Sequence, residues 1–153
     1  MRREDKAIHD RDEIEAIIRG SLACRLALSD NNRPYVVPLS FGYENNTLYF
    51  HSASEGKKVE ILKKNSNVCF EFDIDQKVVQ DDKPCKWTMN YRSVIGFGKG
   101  SVVEDLEEKK KGLDAIMQHY AGRSFEYLEP AIESTVIIKV EIESMTGKQS
   151  GYR

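Results

Sequence analysis

The chain has 153 residues, of which 40% are hydrophobic and 31% are charged, so a single domain with one core is expected. Its net charge of −2, from 23 basic and 25 acidic residues, argues against a nucleic-acid-binding protein, which needs a strong basic excess. No apolar run approaches the roughly 20 residues of a membrane span, and no apolar signal region follows the charged N-terminus. We therefore expect a cytoplasmic protein with no membrane or nucleic-acid partner.

The cysteines and histidines give no sign of a metal site. The three cysteines, Cys24, Cys69 and Cys85, are odd in number and widely spaced, which favours neither a disulfide framework nor a Cys-x-x-Cys metal motif. The three histidines are equally scattered along the chain. No metal is expected.

The N-terminal region predicts an arm followed by a short helix. Residues 1–10 are polar and are predicted to form a flexible arm. Asp12 followed by Glu15 resembles a capping box, and Gly20 is expected to end the helix. The apolar face of this helix is formed by Ile14, Ile17 and Ile18.

Residues 22–29 alternate as a strand, with Arg25 on the sparser face. One face carries Leu22, Cys24, Leu26 and Leu28. The other places Arg25 between Ala23 and Ala27, two small neighbours. Arg25 is either exposed on an outer face or has room cleared around it for a ligand that it binds.

The next strand, 35–43, follows a turn at 30–34. Tyr35 and every second residue after it are apolar or aromatic, which gives the strand one buried face. Pro38 cannot donate a ladder hydrogen bond, so this strand should lie at a sheet edge or be bulged there. Residues 44–46 form the following turn.

The segment 47–62 begins as a strand and ends as a helix predicted over 56–64, with an anion-binding pattern between the two. Small residues precede Lys57 and Lys58, and Ser52 and Ser54 add hydroxyl donors. A helix start presents unpaired N–H groups and a positive dipole end, so this pattern favours a bound phosphate. The alternative is an ordinary strand-to-helix turn with two solvated lysines.

The remainder predicts three more strands and one more helix. A fourth strand covers 68–74, a loop covers 75–86, and 88–104 is one long strand or a bent pair. A helical stripe runs from about 105 to 120, a loop follows at 122–130, and the last strand covers 135–142. Six or so alternating strands with hairpin turns predict an antiparallel barrel.

Five motifs occur in an order and spacing that are similar to a known family. They are Cys-Arg-Leu-Ala-Leu at 24–28, Pro-Tyr-Val-Val-Pro-Leu-Ser-Phe-Gly-Tyr at 34–43, Leu-Tyr-Phe-His-Ser-Ala at 48–53 with Gly-Lys-Lys at 56–58, Tyr-Arg-Ser-Val-Ile-Gly-Phe-Gly-Lys at 91–99, and Met-Thr-Gly-Lys at 145–148. Together they resemble the pyridoxamine 5′-phosphate oxidase-like, FMN-binding split-barrel superfamily, and within it the nitroimidazole-resistance (Nim-type) branch. The resemblance implies a mainly β, six-stranded antiparallel split barrel, one domain over 1–153, and a homodimer with FMN at the subunit interface.

The resemblance also implies roles for individual residues. Arg25, Lys57 and Lys58 would contact the FMN phosphate, together with Ser52. The flavin ring would lie along the backbone of Pro38, Leu39, Ser40 and Phe41. Tyr91, Arg92 and Ser93 would approach the site from the neighbouring subunit.

Two aromatic residues each have two interpretations. His51 either faces the ligand and donates a proton to the acceptor, or is a hydrogen-bonded structural histidine at a strand end. The Nim-type branch carries a histidine near the flavin at this position. Trp87 either closes over the flavin or packs under the 75–86 loop.

Three functions follow from the resemblance. The first is an FMN-dependent oxidoreductase that takes electrons from a transiently bound reduced nicotinamide and passes them to a small electron-poor acceptor such as a nitroaromatic. The second is a non-catalytic flavin- or haem-binding module. The third, pyridoxamine 5′-phosphate oxidation, is disfavoured because no second basic cluster is found for a substrate phosphate.

Overall fold

The computed structural model describes residues 3–152, which form eight strands and four helices. The strands are β1 (Ala7–Ile8), β2 (Cys24–Asp30), β3 (Arg33–Leu39), β4 (Gly42–Glu44), β5 (Thr47–Ser52), β6 (Asn67–Val79), β7 (Thr88–Val103) and β8 (Val136–Ser150). The helices are α1 (Arg11–Gly20), α2 (Lys57–Lys64), α3 (Leu106–Ala121) and α4 (Glu129–Ser134), with short 3₁₀ turns at Glu4–Lys6 and Pro84–Lys86.

The strands form one antiparallel sheet in the order β3-β2-β6-β7-β8-β5-β4, and β1 pairs with β8. The two edge strands, β3 and β4, are consecutive in the chain and are joined by residues 40–41, so the curled sheet brings its edges together at that link. The predicted mainly β split-barrel architecture is confirmed. The strand count rises from six to eight because β1 was not predicted and because the predicted strand 35–43 divides into β3 and β4.

Alternating side chains fill the interior of the curled sheet. Its largest fully buried side chains include Leu26, Leu48, Phe50, Phe70, Phe72 and Ile138. A second, smaller cluster lies outside the sheet beneath α3, and consists of Tyr49, Val103, Ala115, Ile116 and Ile137. The sheet therefore has an inner face and an outer face. Helix α3 covers part of the outer face and leaves the part on β2, β6 and β7 uncovered.

The N-terminal segment differs from the predicted flexible arm. Ala7–Ile8 pairs with residues 147–148 of β8, and Ile8 is buried. The cap of α1 is Asp10, whose carboxylate accepts a 3.0 Å hydrogen bond from the Glu13 amide, and not Asp12. Residues 1–2 of the predicted arm lie outside the described residues.

The long strands extend beyond their predicted bounds. β6 continues to Val79 after a register shift between Ile74 and Lys77, which shortens the predicted 75–86 loop. β8 continues to Ser150 and pairs along nearly the whole of β7. Leu22 was predicted inside a strand, but it precedes β2 and is 83% exposed. Helix α4 occupies the end of the predicted 122–130 loop.

Segment 88–104 is one long strand with a register shift at Phe97/Gly98, not a bent pair of strands. Gly96 allows the Phe70 ring to lie close to the β7 backbone, since a Cβ at Gly96 would lie 2.8 Å from Phe70 Cε1 and closer still to the tip of the ring. Among residues 3–152, no helix is long and apolar enough to cross a membrane.

Candidate functional site

The start of α2 presents backbone amides that no side chain caps. Its N-cap is Gly56, with φ 153° and ψ 160°, a conformation that side-chain-bearing residues rarely adopt. No side chain caps the helix, and its first internal hydrogen bonds run from the Val59 and Glu60 amides to the Gly56 carbonyl. The amides of Lys57 and Lys58 therefore precede the hydrogen-bonded ladder and point out of the helix start.

The side chains around this helix start are partly available. Lys57 is exposed, and its Nζ lies 4.8 Å from the centre of the Tyr35 ring. Lys58 is half-buried and Ser54 is exposed. The Ser52 hydroxyl already donates its proton, in a 3.1 Å hydrogen bond to the Ala53 carbonyl. Two amides, two lysines and one hydroxyl form a donor set suited to a phosphate.

Arg25 lies on the outer face of β2 and is held by two carboxylates. Its Nη1 is 3.0 Å from Glu71 Oε2 and 2.5 Å from Asp73 Oδ1. The hydrogen bond to Asp73 is the largest cause that raises the pKa of Arg25. Burial, followed by the nearby Asp73 charge, raises the pKa of Glu71. Arg25 is thus an outer-face residue with its own partners.

Arg25 and Lys57 are not brought together within one chain. Tyr35, which Lys57 contacts, packs against the main core from the inner face of β3. Arg25 alternates with the buried residues Cys24 and Leu26, so it projects from the opposite face of the β2–β3 hairpin. One ligand can contact both an Arg25 and a Lys57 only if a second protein surface supplies one of them.

The predicted flavin-ring segment lies at the split of the barrel. Pro38 lies on the edge strand β3, opposite Arg25 of β2. An edge position is what the missing N–H of Pro38 predicted. Pro38 and Ser40 are exposed and Leu39 is half-buried. Phe41 is fully buried, and its amide donates a 3.1 Å hydrogen bond to the Tyr120 hydroxyl.

His51 lies on the outer face near the end of β5, opposite Ile137 of β8. Its side chain is exposed, and across residues 3–152 no hydrogen bond holds its ring. Three strands, β6, β7 and β8, separate β5 from the β2 strand that carries Arg25. The structure therefore does not hold His51 as a hydrogen-bonded structural histidine.

Residues 91–93 divide between the two faces. Ser93 pairs with Asp73 on the outer face, and the Tyr91 ring lies 5.7 Å from Lys148 Nζ. Arg92 points the other way. Its Nη1 is 3.0 Å from Asp75 Oδ2, and its guanidinium lies 4.6 Å from the Tyr152 ring centre.

Exposed apolar residues line the outer face of the long strands. Ile95 and Phe97 on β7 are 45% and 56% exposed, and Val36 on β3 is 62% exposed. Cross-strand pairs connect Val36 to Ala27, Ala27 to Cys69 and Cys69 to Phe97. We call the surface formed by Arg25, Val36, Glu71, Ile95 and Phe97 the outer apolar face.

Sequence reasoning missed two features of the site region. Glu71 and Asp73 share one face of β6, but their pairing with Arg25 depends on the β2–β6 register, which no local pattern contains. Tyr120 lies at the end of the helical stripe predicted over 105–120, but it is 42% exposed and its hydroxyl accepts a hydrogen bond from the Phe41 amide. Trp87 donates from its indole to the Asp81 carbonyl at 2.6 Å, within the loop that joins β6 and β7.

Across residues 3–152, no group of three or more His, Cys, Asp or Glu residues is placed to hold a metal.

The family model described as pyridoxamine 5′-phosphate oxidase matches residues 10–149. The chain belongs to the pyridoxamine 5′-phosphate oxidase family. No curated protein matches the chain.

One solved structure is similar in both sequence and fold. A candidate 5-nitroimidazole antibiotic resistance protein from Bacteroides thetaiotaomicron is 43% identical, with a TM-score of 0.83. The match covers 94% of this chain and 86% of that one. It shows that the family resemblance extends over nearly the whole chain.

Two further structures share the fold alone. The flavocytochrome Anf3 from Azotobacter vinelandii is 20% identical with a TM-score of 0.84, and covers 99% of this chain and 72% of that one. A FAD- and haem-binding protein from Mycobacterium smegmatis is 18% identical with a TM-score of 0.85, and covers 96% of this chain and 74% of that one.

Proposed function

We propose that this protein is an FMN-dependent oxidoreductase that reduces small electron-poor acceptors such as nitroaromatics. The observation that carries the proposal is the uncapped start of α2, where Lys57 and Lys58 follow Gly56. The 43% identity to a candidate 5-nitroimidazole antibiotic resistance protein supports the choice of acceptor. Membership of the pyridoxamine 5′-phosphate oxidase family supports a flavin as the cofactor.

The α2 donor set fits the phosphate end of FMN. A phosphate monoester carries roughly two negative charges at neutral pH, because its second pKa is near 6. The Lys57 and Lys58 amides, the two ammonium groups and the Ser54 hydroxyl would supply N–H and O–H donors to its oxygens. The positive end of the helix dipole adds to this attraction.

A symmetric homodimer would complete the site. Arg25 projects from the outer face of the β2–β3 hairpin, whereas Lys57 contacts Tyr35 on its inner face, so one ligand can use both only if a second copy presents its outer face. The exposed Ile95 and Phe97 give that face the apolar character of an interface core. On this proposal Arg25, Tyr91 and Ser93 reach the ligand from the partner subunit.

The bound flavin would supply electron transfer from a reduced nicotinamide to the acceptor. The chain's own residues bind, orient and protonate. The exposed backbone at Pro38 and Ser40 would support the ring. His51, whose imidazole has no hydrogen bond within residues 3–152, would donate a proton to the reduced acceptor.

The test compares FMN with riboflavin, which has no phosphate. A charge-assisted hydrogen bond contributes about 1.5–3 kcal/mol, so each bond lost weakens binding by roughly tenfold to a hundredfold. Lys57→Ala with Lys58→Ala should weaken FMN binding by at least that factor and leave riboflavin affinity nearly unchanged. The matched control is Lys63→Ala with Lys64→Ala, which removes two lysines from the other end of the same helix.

Three results would refute the phosphate site: equal loss of both ligands, unchanged affinity for both, or the same loss in the control. The effect should also shrink as salt rises, because exposed charges are screened.

Turnover is tested by the visible flavin bands, which should bleach on adding reduced nicotinamide and recover with a nitroaromatic. A flavin that stays oxidised, or a Soret band, would instead indicate a non-catalytic module. Oxidation of pyridoxamine 5′-phosphate in place of nitro reduction would correct the substrate.

A further inference from the structure

The link between β3 and β4 is tied to the end of α3. Residues 40–41 lie outside both strands, where the sheet ladder no longer pairs their backbone. The Phe41 amide instead donates to the Tyr120 hydroxyl at 3.1 Å. That hydroxyl donates its own proton to the Leu22 carbonyl at 2.7 Å. The Tyr120 side chain therefore fixes the Leu22 carbonyl and the Phe41 amide, which are 19 residues apart in the sequence.

The neighbouring residue of α3 strengthens the same attachment. His119 Nε2 lies 2.7 Å from the Ser21 carbonyl, and the His119 ring centre is 4.3 Å from that of Phe41. The Phe41 ring is also 4.8 Å from Phe72, so it is enclosed by aromatic rings and fully buried. We call His119 and Tyr120 the α3 clamp.

The α3 clamp leaves the outward side of the link accessible. Phe41 anchors the backbone from the core, whereas Ser40 and Pro38 remain exposed. Because the only hydroxyl proton of Tyr120 is committed to Leu22, its oxygen is oriented as an acceptor towards the Phe41 amide. The backbone of the link is thus held in one geometry before any ligand arrives.

We propose that Tyr120 is a positioning residue for the flavin ring, acting through the backbone of residues 38–41. This inference rests on the proposed function. A preorganised backbone costs less to order when the ring binds, so loss of preorganisation weakens binding. Tyr120 contributes through the isoalloxazine end of the cofactor, so its effect is independent of the phosphate.

The first test needs no flavin. Tyr120→Phe keeps the ring and removes the hydroxyl, so amide hydrogen exchange at Phe41 should accelerate by roughly tenfold, the equivalent of one net hydrogen bond. Tyr43→Phe is the matched control. It also removes a bonded hydroxyl, 3.0 Å from Glu15 Oε1, but not one that contacts Phe41. The control should leave exchange at Phe41 unchanged.

The second test measures flavin binding by the same variants. Tyr120→Phe should weaken FMN and riboflavin alike, by about three- to tenfold, and shift the visible absorption bands of the bound flavin. The double variant of Lys57 and Lys58 should lose FMN selectively and keep the wild-type spectrum with riboflavin. Tyr43→Phe should behave as wild type in affinity and spectrum.

The outcomes separate this inference from the proposed function. Unchanged exchange at Phe41 in Tyr120→Phe refutes the clamp. Faster exchange with unchanged flavin affinity and spectrum shows a structural role only, and also overturns the inference. In both cases flavin binding by the wild-type protein would leave the proposed function standing. Failure of the wild-type protein to bind flavin would refute the proposed function itself.

Discussion

Gly42→Ala should destabilise the fold by pushing α3 away from β4. A Cβ at Gly42 would lie 2.7 Å from the Ala115 carbonyl oxygen, and closer still to the Ala115 carbonyl carbon and the Ile116 nitrogen. All three atoms belong to the helix backbone, so no side chain can rotate aside. The carbonyl oxygen alone would have to retreat to the 3.4 Å at which ordinary contact begins.

The expected cost follows from that displacement. Overpacking a well-packed contact typically costs about 1–3 kcal/mol, and the rigidity of a helix backbone places this site at about 2–3 kcal/mol. Moving α3 would also strain the α3 clamp, because His119 and Tyr120 follow Ala115 by about one turn of the same helix. The variant should therefore show faster exchange at the Phe41 amide as well.

Urea unfolding followed by circular dichroism measures the change in the free energy of unfolding. Gly20→Ala is the control, since its Cβ would meet only Ile74 Cδ1 at 3.5 Å and its site ends helix α1. The control should be neutral or stabilising by up to about 1 kcal/mol. A Gly42→Ala protein within about 0.5 kcal/mol of wild type would show that α3 does not pack on β4 as described.

Three further predictions address pH, chemistry and assembly. Burial raises the pKa of Glu15, but three hydrogen bonds from neighbouring side chains outweigh burial and lower the pKa below 4.5, so the charged form of Glu15 stabilises the fold. Glu15→Gln should therefore lower the free energy of unfolding by on the order of 1 kcal/mol at pH 7. In urea unfolding, this difference from wild type should vanish as the pH falls well below 4.5. His51→Ala should lower turnover about a hundredfold with FMN affinity nearly unchanged, and loss of flavin from the variant would contradict a proton-donor role. Phe97→Asp should yield 17.5 kDa monomers in sedimentation, whereas Leu128→Asp, 79% exposed before α4, should not; a wild-type monomer that binds FMN would refute the dimer.

The strands that sequence predicted best have one buried face and one open face. β2 and the first half of β6 alternate strictly between buried and open positions, so period-two patterning found them. The ends of β6, β7 and β8 were harder to place because both of their faces are partly open. Their pairing comes from neighbouring strands, as in the register of residues 91–93 with 148–150, and a local pattern does not contain it.

The same division applies to the candidate site. The α2 start was predicted as an anion site because glycine, serine and lysine act within about one turn of helix. The carboxylate partners of Arg25 were not found, because Glu71 and Asp73 are more than forty residues away and meet it only through sheet register. The role of the Tyr120 hydroxyl was likewise not predicted, since its two backbone partners come from distant segments.

The ion pairs of Arg25 change what its charge can do. One guanidinium faces two carboxylates, so this part of the outer apolar face is net negative and repels a phosphate until a partner is exchanged. Within residues 3–152, no carboxylate forms an ion pair with Lys57 or Lys58, and the amides at the α2 start are fixed by the helix. Initial capture of a phosphate is therefore expected at α2. Arg25 would join only as the two outer faces meet, when the loss of water strengthens its interaction with whichever anion lies nearest. Arg25 would contribute both to the phosphate site and to the dimer interface, and in the single chain it is held by Glu71 and Asp73. Phosphate binding and dimer formation should therefore be coupled.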